Sequence, residues 1–498
     1  MVIVSKLFHY SLGDVMKKIR IAGIDQGTTS TKALLLKGSG KNKIKYQKCH
    51  KQITPNPGWV EHDPEEIYQN IIDSLQCVGE VDAIGLTHQG ETIVAWDSET
   101  KAPLYNMIVW QDQRTEKKVQ ELKEAGHEPA IQEKTGLLLD SYFPASKMAW
   151  LIDNVDKVKT ALDKGRLRIG TSESFFIDRL TGVYCTDYNS ASRTSLFNAK
   201  TLQWDEALCS IFNVPIDILP PIKENIGHYG YHHLNGKNVP ITAVMVDQFA
   251  SAYGHGCRVK GDSKATFGTG AFMQVLTGED FIIDKDTGLS SALFWKFPNE
   301  APVYGLDAGV YNVGSAINWA QKLGLFKSYK QLNSFKKAPA IERDIVFVPG
   351  LSGLACPHWD RTASGMWSGL TLRTDRKDLM QSLLEGIAFR AISNFTTMSN
   401  FVHINKSVSI DGGLVKNPYF VQFFTNMLNR HILVPKNNEL TSLGIALLAN
   451  KGLGLEEIKP KQSKKKVYKP KDIKDRKKLS AKFESIVEKA KQTRVVID

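Results

Sequence analysis

A chain of 498 residues is too long for one compact core, so its length predicts two large domains. Apolar residues make up 42% and charged residues 23%, the balance of an ordinary globular enzyme, and no apolar run approaches the length of a membrane helix. The six scattered cysteines contain no CxxC pair, which favours a reducing compartment and argues against a zinc site. We therefore expect a cytoplasmic protein without stable membrane insertion.

The positive charge is concentrated near the C-terminus. Residues 459–478 hold 11 Lys or Arg and 2 Asp, a net +9 of the formal +12, which leaves the rest of the chain at +3. Such a basic run is typical of a solvated surface segment, and it lacks the aromatic interleaving that base stacking needs. We expect a lysine-rich tail over residues 456–498 and no nucleic-acid partner.

The N-terminal residues do not form a convincing leader. Asp14 interrupts a mildly apolar start, and no small-residue cleavage site follows, so a signal peptide is not expected. Residues 1–16 are interpreted as an extension. Either Met1 or Met16 could be the native start, since Met16 directly precedes the first β-rich run.

The first predicted element is a β-hairpin with a polar tip. Lys17–Asp25 and Lys32–Leu36 are β-rich runs joined by QGTTST. A carboxylate ending a buried strand, here Asp25, can hold Mg²⁺, and Gly27 lets backbone approach a phosphate. The tip hydroxyls belong to Thr28, Thr29 and Ser30. Backbone N–H groups and hydroxyls can form an anion-binding nest here, although a plain polar turn is the alternative and the loop is not a Walker A sequence.

A helix and several strands follow. Asp63 as N-cap before Pro64 opens a helix with a periodic apolar face. Short strands are predicted near Ala83–Leu86 and Thr92–Trp96, and a strand near Ile241–Val246 runs directly into Asp247.

The pattern then begins again. Lys264–Phe267 and Ala271–Leu276 are predicted strands joined by Gly268-Thr269-Gly270, which repeats the strand, Gly/Thr tip and strand of the first hairpin. This indicates two related halves, which we place at residues 17–257 and 258–455. Two helices are predicted towards the end of the second half, over Pro418–Asn429 and Thr441–Asn450.

A third glycine-rich turn completes the candidate nucleotide site. Asp411-Gly412-Gly413, with Asn417 beyond, could let a flat adenine slide against backbone. Each turn alone is a weak signal. Together, one in the first half and two in the second, they predict a nucleotide bound between two domains.

Several ordered motifs resemble the FGGY carbohydrate kinase family, and within it the glycerol kinases most closely. They are GIDQGTTSTKALLL, WVEHDPEEI, YNMIVWQDQRT, YFPASKMAWLIDN, SASRTSLFN, FGTGAF, GLACPHWDRTASG and IDGGLVKNPYFVQFF, and they span about residues 18–455. The resemblance implies an α/β fold of two actin-like (ribonuclease-H-like) domains with an interdomain active-site cleft. It also implies Mg-ATP as phosphate donor, a small polyol as acceptor, and a homodimer or homotetramer.

The resemblance also implies roles for the site residues. Asp247 matches the catalytic base, which takes the proton of the attacking hydroxyl. The substrate-binding positions are Glu91, Trp110, Tyr142, Asp247, Gln248 and Phe272. The nucleotide-binding positions are Thr28, Thr29, Ser30, Lys32, Thr269, Gly314, Asn318, Gly413 and Asn417. Asp25 and Asp247 match the surroundings of the metal.

One substrate position departs from the pattern. Glycerol kinases typically carry an Arg that donates to glycerol oxygens where this chain has Gly90. One interpretation is a pocket enlarged for a longer polyol or sugar, such as erythritol, threitol, xylulose or ribulose. The other is that water or a neighbouring side chain replaces the Arg, and that glycerol is converted to sn-glycerol 3-phosphate.

Two further alternatives concern regulation and class. His233, with His228 and His232 nearby, lies where some relatives carry a phosphorylated His, although an ordinary surface-loop His is the simpler interpretation. A non-enzymatic actin-like nucleotide switch would keep the three glycine-rich turns. It would not need the polyol positions Glu91, Trp110 and Tyr142.

Overall fold

The computed structural model describes residues 18–437, 439–461 and 465–493. The extension predicted over residues 1–16, and with it the choice of start, lies outside these residues. No described helix is both long and apolar enough to cross a membrane.

The first half of the chain contains fourteen strands and nine helices within the described residues. The strands are β1 (Arg20–Gln26), β2 (Ser30–Lys37), β3 (Asn42–Cys49), β4 (Glu61–His62), β5 (Ala83–His88), β6 (Ile93–Asp97), β7 (Met107–Ile108), β8 (Leu167–Thr171), β9 (Thr186–Asp187), β10 (Phe197–Asn198), β11 (Gln203–Trp204), β12 (Ile222–Lys223), β13 (Tyr231–Leu234) and β14 (Lys237–Val246). The helices are α1 (Pro64–Val78), α2 (Glu116–Glu124), α3 (Glu128–Thr135), α4 (Pro144–Asn154), α5 (Asp156–Asp163), α6 (Ser172–Thr181), α7 (Tyr188–Ser192), α8 (Glu206–Phe212) and α9 (Asp247–His255).

The second half contains the remaining described elements. Its strands are β15 (Ser263–Phe267), β16 (Ala271–Gly278), β17 (Ser290–Trp295), β18 (Val303–Val310), β19 (Val346–Val348), β20 (Met366–Ser368), β21 (Ser407–Asp411), β22 (His431–Pro435) and β23 (Lys465–Tyr468). Its helices are α10 (Gly314–Lys322), α11 (Arg376–Met398), α12 (Pro418–Leu428), α13 (Leu440–Gly452) and α14 (Arg476–Gln492).

The two large sheets repeat one topology. The first has the order β13-β14-β5-β1-β2-β3 and the second β17-β18-β16-β15-β21-β22-β23. In each, an antiparallel hairpin (β1–β2 or β15–β16) continues through parallel pairing to later strands, β5 and β14 or β21 and β22. The repeated hairpin seen in the sequence therefore belongs to a repeated domain, and the prediction of two related halves is confirmed.

Local sequence explains the first covering helix. The Asp63 carboxylate accepts a hydrogen bond from the Glu65 backbone N–H at 2.9 Å, and Pro64 occupies the first helical position. The apolar face of α1 buries Ile67 and Ile71 against the first sheet. The capping and periodicity read from the sequence are thus confirmed.

The last helix of the second half packs on the first half. α13 lies against β1, β5, β14 and α9. The two helices cross at glycines, since a Cβ on Gly444 would lie 1.9 Å from the Ala250 carbonyl oxygen and one on Gly254 would lie 2.1 Å from that of Leu440. Sequence order and spatial grouping therefore differ here, and a division between residues 257 and 258 stays a proposal.

The C-terminal segment is not a separate tail in the described residues. β23 pairs with β22 and extends the second sheet, and α14 buries an apolar face in the core of the second domain. That face consists of Leu479, Phe483, Ile486, Val487 and Ala490. Most lysines of the basic run lie before α14 and are exposed, and those of α14 occupy its solvent side. For the described residues 456–461 and 465–493, the predicted tail is therefore corrected to an integral part of the domain.

Candidate active site

The first sheet brings three carboxylates to one edge. Strands β14, β5 and β1 are parallel neighbours. At the carboxyl ends of these strands, Val246 of β14 and Gln26 of β1 both pair with His88 of β5. Asp25 closes β1, Glu91 follows β5, and Asp247 follows β14. Because the carboxyl ends of parallel strands meet at one edge, the predicted base and two of its predicted neighbours converge.

The acidities of these carboxyl groups reflect their surroundings. Burial raises the pKa of Asp247 to about 8, and the negative charges of Asp25 and Glu91 add to the shift. Burial also raises the pKa of Asp25 to about 6, although Lys32 and the hydroxyl of Thr87, 3.2 Å from Asp25 Oδ1, oppose it. A carboxyl group with a pKa near neutrality is suited to accept a proton from an alcohol.

The raised pKa of Asp247 predicts a pH-dependent rate. A general base works only when unprotonated, so kcat/KM should rise about tenfold per pH unit below pH 8 and level off above it. The measurement is kcat/KM between about pH 6 and 10, which reports the ionisations of the free enzyme. A flat profile over this range would contradict the assignment of Asp247 as base.

These carboxylates also fit a divalent cation. The negative charge of Asp25 is a named cause of the raised pKa of Asp247, so the two groups are near enough to repel each other. Mg²⁺ prefers oxygen ligands, often through water, and a cation at this edge would relieve that repulsion. The residues present therefore match the donor chemistry that Mg²⁺ requires.

Glu91 lies in a strained turn and is held by a buried arginine. Its φ is +58°, an uncommon conformation for a glutamate. Its carboxylate accepts a hydrogen bond from Arg193 Nε at 2.6 Å, and Arg193 Nη2 lies 3.6 Å from Asp307 Oδ2. Arg193 Nη1 and Asp307 Oδ1 are buried without a hydrogen-bond partner among the described residues. An unpaired donor and an unpaired acceptor beside Glu91 are complementary to a substrate hydroxyl.

Two aromatic rings form an adjoining wall. The Trp110 and Tyr142 rings lie 5.4 Å apart, and Trp110 Nε1 donates to Thr28 Oγ1 at 3.1 Å. The predicted substrate wall therefore contacts the predicted phosphate hairpin. Burial raises the pKa of Tyr142 well above its usual value, with the negative charge of Glu91 adding to the shift, so this ring is near the carboxylates as well.

A buried lysine holds this wall from behind. Lys147 Nζ donates to the carbonyl oxygens of Trp110 and Tyr142 at 3.2 and 3.0 Å, and burial lowers its pKa to about 8. The sequence analysis did not predict this role of Lys147. A Lys at a core-facing position of helix α4 is unusual, and that feature could have drawn attention to it.

Lys147→Met is expected to raise the polyol KM about tenfold or more, with a smaller change in kcat. The substitution leaves two buried carbonyl groups without their donor and releases both aromatic residues. Steady-state kinetics with the polyol varied will measure the effect. Lys134→Met, which removes a partly exposed lysine paired with Asp205, is the control and should leave KM unchanged.

Gln248 is likewise held by a lysine from the second domain. Lys264 Nζ on β15 donates to Gln248 Oε1 at 2.9 Å, and Lys264 is fully buried. Burial lowers its pKa, and the negative charges of Asp411, Asp307 and Asp247 oppose that shift. Sequence reasoning missed Lys264, Arg193 and Asp307. For Asp307 the detectable signal was a charged residue inside an otherwise apolar strand, and for Lys264 it was a charged residue inside a short predicted strand. For Arg193 it was an Arg within one of the family motifs.

The space expected at Gly90 is partly occupied. A Cβ on Gly90 would lie 2.7 Å from Val246 Cγ1, the side chain just before Asp247. The vacated volume on which the longer-polyol interpretation depended therefore contains Val246. A side chain at position 90 therefore requires the Val246 side chain, next to Asp247, to shift.

The second candidate phosphate turn, residues 268–270, packs against the N-terminus of helix α10. The N–H groups of Gly314 and Ser315 donate to the carbonyl oxygens of Gly268 and Thr269 at 3.0 and 3.2 Å. A Cβ on Gly314 would lie 2.7 Å from the Gly268 oxygen, so glycine is needed for this approach. Thr269 and Gly314, predicted separately, are thus direct neighbours.

The third glycine-rich turn, residues 411–413, lies against the second, residues 268–270. Gly412 has φ +97°, and a Cβ there would lie 2.3 Å from the Phe267 carbonyl oxygen, whereas Gly413 faces open space. Asn417 differs from its predicted use. Its oxygen accepts from Phe420 N at 2.9 Å as the N-cap of α12, and its nitrogen donates to the Leu332 oxygen at 2.9 Å. The side chain is committed to the fold, so any nucleotide contact would come from the surrounding backbone.

Other predicted positions also have protein partners. Lys32 Nζ forms an ion pair with Glu439 at 2.8 Å. Asn318 Oδ1 accepts from the Tyr329 hydroxyl at 2.9 Å near the surface.

Phe272 is half-buried on β16 opposite Gly309. Thr29 is exposed and Ser30 half-buried, and the tip closes through a hydrogen bond from Gly27 N to the Ser30 oxygen at 3.0 Å.

Comparison with known proteins assigns this architecture to a class. Residues 20–254 match the N-terminal domain, and residues 263–453 the C-terminal domain, of the FGGY family of carbohydrate kinases. These matches cover most of the chain. The protein belongs to the FGGY family of carbohydrate kinases, and it has that family's two-domain α/β fold and ATP-dependent transfer of a phosphoryl group to an alcohol.

Comparisons with individual proteins give more specific similarities. The chain is 38% identical to a glycerol kinase of Geobacter sp. over 452 residues, 87% of this chain and 90% of the relative. It is 37% identical to a glycerol kinase of Borreliella afzelii over 491 residues, 95% and 98% of the two chains. The crystal structure of Plasmodium falciparum glycerol kinase with ADP superposes with a TM-score of 0.87 at 32% identity, covering 97% of this chain and 99% of that one. A xylulose kinase of Lactobacillus acidophilus, with a TM-score of 0.84 at 24% identity over 95% and 97% of the chains, shares the fold.

Proposed function

We propose that the protein transfers the γ-phosphoryl group of ATP to a terminal hydroxyl of glycerol, forming sn-glycerol 3-phosphate. The observation that carries this proposal is the group of Glu91, Arg193 and Asp307 near Asp247, a buried polar cluster with unpaired hydrogen-bonding atoms. The similarity to glycerol kinases in sequence and structure supports it.

The proposed chemistry follows from the carboxylates. Asp247 would accept the proton of the attacking hydroxyl while that oxygen forms its bond to the γ-phosphorus and ADP leaves. Gln248 and Glu91 would hold the other hydroxyls, and the Trp110 face would cover the C–H edges. Asp25 and Asp247 would hold Mg²⁺ through water, and the ion would neutralise charge on the phosphates.

Nucleotide binding would use both domains. The tip at Thr28, Thr29 and Ser30 would contact the phosphates from the first domain, together with Lys32. The turn at Thr269 would contact them from the second, and Gly413, which faces open space, would lie against the base. Closure of the cleft would exclude water from the reaction. We also propose a homodimer or homotetramer.

Arg193 favours glycerol over a longer substrate. Its guanidinium has a free donor at Nη1, so it can supply the hydrogen bonds that an Arg at position 90 would have supplied. The Val246 side chain lies next to Gly90, and we expect it to restrict the substrate site on that side. A longer polyol or sugar is the second candidate, because the absence of an Arg at position 90 still removes one contact that relatives make.

Product analysis tests the proposal. The protein is incubated with Mg-ATP and glycerol, and the product is assayed with a dehydrogenase specific for sn-glycerol 3-phosphate. Stoichiometric product of that configuration is expected. ADP release without it, or formation of the opposite enantiomer, would refute the proposed reaction.

Gly90→Arg alone is expected to lower kcat/KM about tenfold or more for every polyol, because the new side chain collides with Val246 and displaces Asp247. Adding Val246→Ala removes both methyl groups and should restore most of the glycerol activity. Kinetics of both variants with glycerol and erythritol provide the measurement. An active Gly90→Arg single variant would show that Val246 does not occupy this space.

A further inference from the structure

A groove with a basic lining lies at the end of the first hairpin that is remote from its tip. Its volume is about 740 Å³, and no acidic side chain among the described residues lines it. The lining residues are Arg20, Lys37, Lys41, Lys43, Lys45 and Lys461, with Leu35 and Asn42. Six of the eight lining side chains are thus basic.

The fold fixes both walls of this groove. On one side, Lys43 and Lys45 of β3 are both exposed and line the groove, and a β-bulge at Lys45 interrupts the pairing of β3 with β2. On the other, the segment after α13 docks on the β2–β3 turn, where Lys461 N donates to the Gly40 oxygen at 2.9 Å. Gly40 has φ +79°, and a Cβ there would lie 2.2 Å from the Lys459 oxygen. The groove is therefore held open by backbone contacts that require glycine.

The basic side chains of the groove lack counter-charges. Among the described residues no ion pair involves them, whereas nearby Lys32 and Lys48 pair with Glu439 and Asp73. Arg20 Nε and Asn42 Nδ2 are moreover buried donors without a partner in the described part of the chain. Converging cations repel one another, and a bound anion would relieve that repulsion and satisfy the donors.

We propose that this groove binds a soluble anion carrying two or more phosphate groups. Its volume lies in the usual range for small-molecule sites, and several lysines and an arginine around one cavity match the charge and acceptor oxygens of phosphates. Within the described part of the chain no aromatic side chain lines it, so stacking of nucleic-acid bases has no platform among these residues. The inference does not depend on the identity of the polyol.

The groove is separate from the proposed ATP site. β1 runs from Arg20 at the groove to Gln26 at the phosphate tip, seven residues or roughly 20 Å of extended strand. Tripolyphosphate bound in the groove therefore would not compete with a nucleotide at the tip.

Calorimetry with inorganic tripolyphosphate tests the site. The full-length protein is first saturated with Mg²⁺ and a non-hydrolysable ATP analogue, so that the active site is filled. One additional site is expected, and Lys43→Gln/Lys45→Gln should weaken it tenfold or more. Lys48→Gln/Lys51→Gln, with the same charge change on and just beyond the same strand, should leave the affinity within about twofold.

Three outcomes would overturn the proposal. The first is the absence of an additional tripolyphosphate site. The second is equal weakening by both double variants, which would indicate only the general charge of the protein. The third is binding of heparin or duplex DNA with no binding of tripolyphosphate, which would indicate an extended polyanion surface instead of a small-ligand groove.

Discussion

Asp247→Asn is expected to lower kcat by about 10²- to 10⁴-fold while the protein keeps its fold. The amide has almost the same shape as the carboxyl group but cannot accept the proton of the attacking hydroxyl. Because burial and the charges of Asp25 and Glu91 raise the pKa of Asp247 to about 8, the folded protein must bind a proton there at neutral pH. The amide does not carry this cost, so the thermal midpoint should stay the same or rise. Stopped assays of ADP release and a thermal melt provide the two measurements.

Asp217→Asn is the matched control, because Asp217 is exposed on a short turn between α8 and β12. It should have wild-type kinetics. A folded Asp247→Asn protein with kcat within about threefold of wild type would exclude Asp247 as the general base.

Arg193→Met is expected to lower kcat/KM for the polyol about 100-fold or more. The guanidinium is the buried cation between Glu91 and Asp307, so its removal leaves two carboxylates facing each other and removes the free donor at Nη1. The KM for ATP should change much less, because the hydrogen bond and ion pairs of Arg193 shown in the described residues go to Glu91 and Asp307 and not to the glycine-rich turns. Kinetics with each substrate varied separately distinguish the two effects.

Arg193→Lys is the control for a loss of activity that is caused only by loss of folding. A lysine keeps the charge but not the planar set of donors, so it should retain the thermal midpoint better than Met and recover only part of the polyol affinity. If folded Arg193→Lys and Arg193→Met proteins both bind polyol as tightly as wild type, Arg193 has no part in substrate binding.

Local patterns predicted the hairpins and several helices. The strand, tip and strand patterns at residues 17–36 and 264–276 became β1–β2 and β15–β16, because alternation and turn residues act over short range. Pro418–Asn429 became α12, and Thr441–Asn450 became α13. The position of α13 on the first sheet could not be read locally, since it depends on contacts between residues 200 and more positions apart.

The C-terminal segment was misjudged from composition. Leu479, Phe483 and Ile486 recur at helical spacing, but the many lysines around them suggested a solvated tail. An amphipathic helix can be rich in lysine and still bury one face, so periodicity was the better guide than net charge.

For the site, the sequence located side chains but not their partners. The motifs singled out Asp247, Glu91, Trp110 and Tyr142. Asp247 and Glu91 follow strands β14 and β5 of the first sheet, whereas Trp110 follows β7 of a smaller sheet and Tyr142 lies in the loop before α4. The pairing of Glu91 with Arg193 joins positions about 100 residues apart, and the contact of Val246 with the space beside Gly90 depends on strand order. Neither follows from one sequence without the fold.

The most direct test of the central claim is a coupled ADP-release assay over glycerol, erythritol, threitol, xylitol, xylulose and ribulose. The account predicts that every active acceptor depends on Asp247 and that glycerol has the highest kcat/KM, because Arg193 supplies the polar contact and Val246 limits the pocket. A higher kcat/KM for a four- or five-carbon acceptor would contradict glycerol as the substrate. ADP release that no acceptor stimulates would contradict the kinase reaction itself.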